Sequence, residues 1–480
     1  MQPTGPMERF MTFVPISSHT GESIADVTLA FLEQKEIDIK FCRGQSYDNA
    51  SNMSGKYKGV QSRIKEVCKY AEYVPCCAHS LNLVGTCAVE SVPEAAALFV
   101  TVQKIYVLYS ASTKRWKLQE DMIAAHEKKM TVVKKLCETR WSSRHDAVRA
   151  LTVGFKEHVQ LLKEISENGD ERAVVQSEAR GHAARLLQTE TALLLHLWND
   201  VLARTNKTSV RLQTEGCPLN LAVHLLNSLL NYIKSLRDKY DYYEKKAHDV
   251  GAADYRMESG RERKKTNFFA EWSAASSTSS STNTSSTSEE TAREFFRKHV
   301  YIPIIDQLTT SLQNRIDAYS NLSKNFGFLL SITTLNDDAL KKAATNLVDE
   351  YPEDLEPELE SEIVHFAAIM KSFESEKLID ISKAFEIGMF TQIVDNNLEE
   401  TFPNVTIMLK IYLCMFVTNC KGERSFSKLK LLKNHLRNTM GQERLASLAL
   451  LSIENRLLRT IDFTDVIADF AEQKCRRKEM

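Results

Sequence analysis

The feature that most constrains the fold is a stretch with helical periodicity between Leu151 and Lys246. Apolar residues recur there three and four positions apart, and Pro218 is the only proline. Such spacing places apolar side chains on one face of an α-helix, which must then be buried against other elements. The periodic residues are Leu186, Leu187, Leu193, Leu194, Leu197, Trp198, Val201 and Leu202, followed by Leu221, Leu225, Leu226, Leu229, Leu230 and Ile233. The middle of the chain is therefore predicted to be almost entirely helical.

Composition limits the class of protein. A chain of 480 residues with 43% hydrophobic content can bury a large core, and its size predicts two to three domains. The formal net charge of -1 gives no global attraction to nucleic acid, so DNA binding must come from local basic surface. Ten irregularly spaced cysteines favour a reducing compartment inside the cell. No apolar run approaches a membrane span, and we expect neither a membrane partner nor a small-molecule substrate.

The N-terminal residues 8–53 have the pattern of a strand, a helix and a second strand. Phe10 to Val14 is β-prone, Ile24 to Leu32 has helical spacing, and Ile37 to Phe41 alternates between apolar and polar residues. A turn-rich segment containing Asp48 follows the second strand. In open α/β sheets such strand ends carry ligand-binding groups. A further short strand is predicted at Tyr73 to Cys77, followed by helices up to residue 133.

Two segments have the composition of domain boundaries. Serine and threonine dominate Ser273 to Ser288, so residues 261–290 are predicted to form a flexible linker. The acidic stretch Asp349 to Glu362 is predicted to be a solvated loop. From Pro403 onward the chain is apolar and regular again. A helix that is apolar nearly all round must be buried, either under the sheet or in a subunit interface.

Four short blocks carry a resemblance to a known family. They occur in the order Arg43 to Gly55, Cys76 to Leu83, Thr139 to Arg144, and Gly422 to Arg437. Their order and content resemble the hAT superfamily of DNA transposases, and in particular the MYM-type zinc finger and DUF4371-type transposase-like proteins. The blocks extend over most of the chain, which is strong evidence of ancestry and much weaker evidence of surviving activity.

The resemblance implies an α/β, mostly helical chain with an incomplete RNase H-like fold. A long helical insertion interrupts that fold, and a C-terminal hAT dimerisation region follows it. The predicted boundaries are 1–145 for the first RNase H-like part, 146–260 for the insertion, 261–290 for the linker, 291–400 for the continued insertion, and 401–480 for the last RNase H-like helix and the dimerisation region.

The resemblance also implies a catalytic set of three acidic residues. Cleavage of a phosphodiester by two metal ions needs carboxylates that hold Mg²⁺ or Mn²⁺, the cofactors expected if the chain is active. Asp48 matches the second family carboxylate and Glu423 the third. Read from the residues alone, Asp48 is a turn-capping aspartate and Glu423 is an acidic residue favoured at a helix N-terminus.

The first catalytic aspartate has no counterpart. The match begins around Glu8 to Phe10, which resembles the third family strand, so we expect the first two strands to be absent. Asp26 lies on a predicted helix and Asp38 opens a later strand, and neither is a plausible substitute. We expect Asp48 and Glu423 to be vestigial and the chain not to cleave DNA.

The DNA-binding residues implied by the resemblance are His79, Arg140, Trp141 and Arg144. Trp141 is either a core tryptophan or a platform on which an extruded base stacks. Arg140 and Arg144 beside it would contact phosphates. Other basic clusters, including Lys428 to Arg437, would add salt-dependent DNA affinity if they converge on one surface.

Cys76 and His79 have a second interpretation. With Cys68 and Cys87 they could bind zinc, which accepts cysteine and histidine in tetrahedral geometry. Their spacing is not that of a zinc finger. The favoured interpretation is that His79 begins a helix whose Leu81, Leu83 and Val84 pack inward.

Together these features predict a non-catalytic, domesticated protein of transposon origin that self-associates through its C-terminal region. DNA is a further candidate partner, and the location is nuclear or cytoplasmic, with the nucleus favoured. The alternative is an active hAT transposase whose N-terminal part lies outside this sequence. An unrelated helical scaffold would require four ordered motif matches by chance.

Overall fold

A computed structural model describes residues 5, 7–126, 130–137, 141–214, 217–252, 255, 291–375, 385–415 and 417–472. For Trp141 it describes the backbone alone. The predicted linker at 261–290 and Arg140 lie outside the described residues.

The chain is mostly helical, as predicted. The α-helices are α1 Gly21–Gln34, α2 Ser51–Ser54, α3 Val60–Val67, α4 Cys77–Glu90, α5 Pro93–Ser110, α6 Thr113–Ala124, α7 Trp141–Val153, α8 Phe155–Glu167, α9 Ala173–Leu186, α10 Thr189–Leu212, α11 Leu219–Leu236, α12 Tyr240–Asp249, α13 Ala292–Phe296, α14 Ile302–Ser323, α15 Asp337–Glu350, α16 Leu359–Ser375, α17 Phe385–Asp395, α18 Pro403–Leu413, α19 Cys420–Leu432, α20 Gln442–Ile453, α21 Asn455–Leu458 and α22 Thr464–Glu472. Helices α7 to α12 confirm the predicted helical middle of the chain.

The described residues contain one small parallel sheet. Strand β1 (Gly44–Gln45) pairs with strand β2 (Glu72–Tyr73), with Gly44 opposite Glu72 and Gln45 opposite Tyr73. Gly44 also lies against the carbonyl oxygen of Cys414, and a Cβ there would collide with that oxygen. Glycine is therefore required for β1 to pass the end of α18.

Two strands predicted near the N-terminus are wrong. Phe10 to Val14 has no regular structure, because no described strand pairs with it and an isolated strand is not stable. Ile37 to Phe41 contains a 3₁₀-helix, Ile39–Phe41, instead of a strand. Asp38 accounts for this difference, because its Oδ1 accepts a hydrogen bond from the backbone N–H of Lys40 at 2.9 Å and so begins a turn.

The residues group into two compact units. The first contains Met1–Ser80, Arg211–His224 and Ala318–Met480, and the second contains Leu81–Val210 and Leu225–Asp317. The five domain ranges drawn from the sequence stay predictions.

The core of the first unit surrounds α18. Eight residues of this helix are buried, and α16 and α17 both pack on it. Aromatic rings complete the core: Phe402 contacts Phe366 at 5.4 Å, and Tyr412 contacts Phe326 at 5.2 Å between ring centroids. The predicted burial of α18 is thus confirmed, and packing within its own unit accounts for it.

The acidic stretch at 349–362 is only partly a solvated loop. It begins in α15 and ends in α16, and Tyr351, Leu355 and Leu359 are buried. Asp354 forms a two-pronged ion pair with Arg43, with Nε–Oδ2 and Nη2–Oδ1 distances of 2.6 Å. The prediction failed because charge density in the sequence hid the buried apolar residues between the carboxylates.

The second unit is a helical bundle. Helix α8 packs on α9, and α5 packs on α6, α7 and α9. Trp198 of α10 is fully buried, and its ring contacts Phe99 of α5 at 5.3 Å in an edge-on arrangement. Among the described residues no single helix has the length and hydropathy of a membrane span. The pair α4 and α5, bent by 107°, meets that standard only when the two are taken together.

Candidate functional site

The block Cys76 to Leu83 begins helix α4. Its Cys76 and His79 have the spacing C-x-x-H, and the Cys76 thiol caps the helix. Cys76 directly precedes α4, and its carbonyl accepts the N–H of Ser80 at 2.9 Å. Its sulfur accepts the backbone N–H of His79, the third residue of the helix. That is the bond a serine or aspartate makes at a helix N-cap. The favoured interpretation of His79 as a residue of the first helical turn is therefore confirmed.

A second helix, α19, begins beside the sulfur of Cys76. The backbone N–H of Asn419, which directly precedes α19, also points at the sulfur of Cys76. Cys420, the first residue of α19, packs with Cys76 in one small buried cluster. Both thiols are buried, Cys76 completely and Cys420 with 5% exposure.

The environment of Cys76 favours its thiolate. The contact with Cys420, followed by the amides of Asn419 and His79, lowers the pKa of Cys76 against the opposing effects of burial and of nearby Glu423. The pKa of Cys420 is raised by its contact with Cys76 and by burial. Of the two thiols, Cys76 is therefore the one whose thiolate is favoured, and it lies where two helix N-termini meet.

Asp48 lies three residues beyond the end of β1, whereas the strand predicted to precede it was Ile37 to Phe41. Its Oδ1 accepts the backbone N–H of Ala50 at 3.1 Å, which is the hydrogen bond of a turn-capping aspartate. The neighbouring Asn49 donates to Ser80 at 2.8 Å, and the backbone carbonyl of Tyr47 accepts the N–H of Cys76 at 3.2 Å. These bonds fix the turn after β1 against the start of α4.

Glu423 lies in the first turn of α19 and is exposed. It is close enough to the pair of thiols to oppose ionisation of both. The fold thus brings Asp48 and Glu423, which are far from it in sequence, to the surroundings of Cys76 and its neighbour His79. Within the described part of the chain, however, no three His, Cys, Asp or Glu side chains are placed to hold one metal ion. The described residues therefore do not fit a zinc site at Cys68, Cys76, His79 and Cys87, nor a pair of catalytic ions.

The block Thr139 to Arg144, which contains Arg140 and Trp141, lies in the part of the chain that forms the second unit. Trp141 begins α7, but its side chain is outside the described atoms, so the choice between core and stacking platform stays a prediction. The guanidinium of Arg144 lies over the ring of Phe99, 5.1 Å from the centroid. This contact gives Arg144 a packing role within its own unit.

A cleft of about 1180 Å³ lies beside α19 in the first unit. The N-terminal segment 7–15 forms one wall. Arg9 pairs with Glu454 at 3.0 Å, and Phe13 contacts Phe426 at 5.5 Å between ring centroids. The charged residues that line the cleft are mostly basic: Arg9, Lys421, Arg424, Lys428, Lys433 and Arg456, against Glu8 and Glu454.

Comparison with known proteins finds matches to two family models and similarity over most of the chain to curated relatives. Residues 370–457 match the hAT family C-terminal dimerisation region, and residues 5–59 match the ZMYM1/FAM200 RNase-like domain. This chain is related to hAT transposases.

Two relatives extend the similarity over most of the hAT-related chain. The proteins named 52 kDa repressor of the inhibitor of the protein kinase from mouse (Mus musculus) and human (Homo sapiens) are each 21% identical over 464 residues, which is 95% of this chain. The chain spans 59% of the mouse protein and 58% of the human protein.

The C-terminal part of the hAT-related chain exposes many apolar side chains. Within the dimerisation match, Leu450 and Leu451 of α20 are 42% and 46% exposed. Beyond it, Val466 and Ile467 of α22 are 60% and 52% exposed, and α22 has no buried residue. The exposed residues of this C-terminal apolar surface are Leu450, Leu451, Leu457, Ile461, Phe463, Val466 and Ile467.

Sequence reasoning missed Cys420 and the segment 7–15 as parts of the site. Cys420 lies three residues before Glu423, but nothing in a one-dimensional pattern connects it with Cys76. The aromatic residues at Phe10 and Phe13 were a visible signal, which we assigned to a strand instead of the wall of a cleft.

Proposed function

We propose that this chain is a hAT-derived protein that self-associates through its C-terminal apolar surface and does not cleave DNA. The observation that carries the proposal is the exposure of the C-terminal apolar surface in and beside a matched dimerisation region. Apolar side chains concentrated in one region of a soluble chain mark a protein interface. A second copy would cover the same surface by two-fold symmetry.

Helix α22 gives the sharpest test of self-association. Val466→Glu places a charge on the proposed interface, whereas Val174→Glu places the same charge on a valine of α9 that is 69% exposed and lies outside it. We expect the unaltered chain and Val174→Glu to be dimers by sedimentation at micromolar concentration. Burying an unpaired carboxylate should weaken the Val466→Glu dimer by at least about ten-fold.

Two other results would contradict self-association through α22. An unaltered chain that remains monomeric, or two valine variants that dissociate equally, would show that α22 is not the interface. Circular dichroism of both variants would verify that the helices are retained.

We expect no DNA cleavage because of the surroundings of Asp48 and Glu423. Asp48 caps a turn, and the described residues offer no third carboxylate beside the two. We expect no nicking of supercoiled DNA in Mg²⁺ or Mn²⁺, either by the purified chain or by Asp48→Ala and Glu423→Ala. Metal-dependent nicking that both substitutions abolish would instead favour the active transposase.

DNA binding is a second candidate function, and the basic cleft favours it. Its lysines and arginines would neutralise phosphates and its phenylalanines offer stacking faces. His79, Arg140, Trp141 and Arg144 remain the further contacts proposed from the resemblance, and nuclear location follows from this function.

Two matched double variants test the cleft. Lys428→Ala with Lys433→Ala removes two cleft charges, and Lys163→Ala with Lys245→Ala removes two exposed charges of the second unit. In fluorescence anisotropy with duplex DNA, the first pair should weaken binding and reduce the slope of log K against log[salt] by about 2. Equal effects of both pairs would mean that the cleft is not the binding surface. A fluorescent fusion that stays out of the nucleus would count against the nuclear location.

A further inference from the structure

Cys76 and Cys420 form a contact that neither the dimerisation match nor a cleavage mechanism requires. The two cysteines belong to one small buried cluster of the first unit, and they lie at the starts of α4 and α19. Their backbones are held in place independently of the sulfurs. The N–H of Cys77 donates to the carbonyl of Val417 at 2.8 Å, and the N–H of Cys76 donates to Tyr47 at 3.2 Å.

We propose that Cys76 and Cys420 are an oxidation site, at which a peroxide converts the two thiols into an intramolecular disulfide between α4 and α19. The packing of the two side chains carries this inference, because two thiols in one small buried cluster need little movement to reach bonding distance. The inference goes beyond self-association and does not depend on it.

The chemistry balances with one peroxide for each pair. The Cys76 thiolate attacks hydrogen peroxide, the O–O bond breaks, and a sulfenic acid forms while the leaving hydroxide becomes water. The sulfur of Cys420 then attacks the sulfenic sulfur, the S–O bond breaks, and the thiol proton leaves with the hydroxyl as water. Two thiols are oxidised by two electrons, and the peroxide is reduced to two molecules of water.

The surroundings explain why this pair should react in preference to a neighbouring cysteine. Two helix N-termini meet at Cys76 and favour the thiolate, which is the nucleophile. Cys77, the adjacent residue, is fully buried, and its pKa is raised by burial. Of the two residues, Cys420 is 5% exposed and Cys76 is completely buried, so we expect peroxide to approach from the α19 side.

The disulfide would link the start of α19 covalently to the start of α4. Glu423 lies one turn beyond Cys420, and Arg424 and Lys428 of the same helix line the basic cleft. Oxidation would therefore fix the position of one wall of that cleft, and reduction would release it.

The experiment uses the full chain, purified in reductant and exchanged into hydrogen peroxide. Free thiols are blocked with N-ethylmaleimide, and unreduced tryptic peptides are analysed by mass spectrometry. We expect a cross-linked pair joining the peptide that ends at Lys421 to the peptide containing Cys76, enriched at least about ten-fold over the untreated chain and lost after dithiothreitol. Fragment spectra assign the sulfurs, because these peptides also contain Cys77, Cys87 and Cys414.

Variants provide the matched controls. Cys76→Ser and Cys420→Ser should abolish the cross-link, whereas Cys77→Ser and Cys414→Ser should retain it. Closing so long a loop should also raise the unfolding temperature by at least about 3 °C on oxidation of the unaltered chain, Cys77→Ser and Cys414→Ser, but not of Cys76→Ser or Cys420→Ser. A folded, peroxide-treated chain that contains no Cys76–Cys420 cross-link, or one joined through Cys77 instead, would overturn the proposal without reliance on any variant.

Discussion

At the scale of single residues, His158 is the buried titratable group with the clearest consequence. Its ring is completely buried in α8, and the hydroxyl of Tyr109 lies 3.2 Å from its Nδ1. Burial disfavours the charged imidazolium and lowers the pKa of His158 to about 4. The folded chain therefore keeps this side chain neutral at a pH where the unfolded chain protonates it.

This difference predicts a loss of stability in acid. The unfolded pKa is about 6.5, so unfolding takes up a proton between roughly pH 6.5 and 4, and stability falls as the pH falls through that range. His158 alone should remove about 2 kcal/mol between pH 7 and pH 5. We expect His158→Gln to show a flatter change of urea midpoint over this interval, and the exposed His435→Gln to match the unaltered chain. Identical slopes in all three proteins would show that His158 is not neutral in the folded state.

Single residues also show what the sequence could and could not reveal. The turn at Asp48 and the position of Glu423 in a first helical turn are local properties, so their sequences predicted them. The contact between Cys76 and Cys420 depends on where two distant helices begin, and no periodic pattern encodes that distance. The packing of Arg144 on Phe99 was missed for the same reason.

At the scale of elements, α16 stabilises the start of α18. Both carboxylate oxygens of Glu362 accept hydrogen bonds at that end, from the backbone N–H groups of Asn404 at 2.9 Å and Val405 at 3.2 Å, and from the Asn404 side chain at 2.7 Å. These amides have no partner within their own helix, and the helix dipole favours a carboxylate there. Glu362 thus acts as a helix cap supplied by another helix.

Removing that cap should destabilise the first unit. We expect Glu362→Ala to lower the free energy of unfolding by about 1–3 kcal/mol, because two buried amide groups lose their acceptor. Glu358→Ala, at an exposed position just before α16, should change it by less than about 0.5 kcal/mol. Denaturant titration followed by circular dichroism measures both. If Glu358→Ala lowered the free energy of unfolding as much as Glu362→Ala, the effect would come from removing any negative charge near α16 and not from losing the cap.

Elements also differ in how far the sequence predicts them. Helices α7 to α12 and α18 follow from apolar spacing, since a helix satisfies its backbone hydrogen bonds internally. The strand expected at Phe10 to Val14 needed a partner from elsewhere in the fold, and its alternating residues carry no information about whether that partner is present. The aromatic side chains there instead pack on α19 and on one another.

At the scale of the whole molecule, net charge and local charge lead to different expectations. The chain as a whole carries a formal charge of -1, so long-range attraction to DNA is weak. The cleft nevertheless gathers six basic residues against two acidic ones. The proposed binding to DNA should therefore be short-ranged and lost quickly with salt, and the proposed self-association would increase it by bringing two such clefts to one duplex.

The sulfur of Cys76 has two roles: it caps the start of α4, and it is the reactive atom of the thiol. A hydroxyl oxygen at position 76 could still accept the amide of His79, so Cys76→Ser can preserve the helix start while removing every reaction of a thiol. Shape and redox chemistry at this position can thus change independently. A C-x-x-H spacing, in turn, is the distance from an N-cap to the third residue of its helix, and by itself it implies no metal.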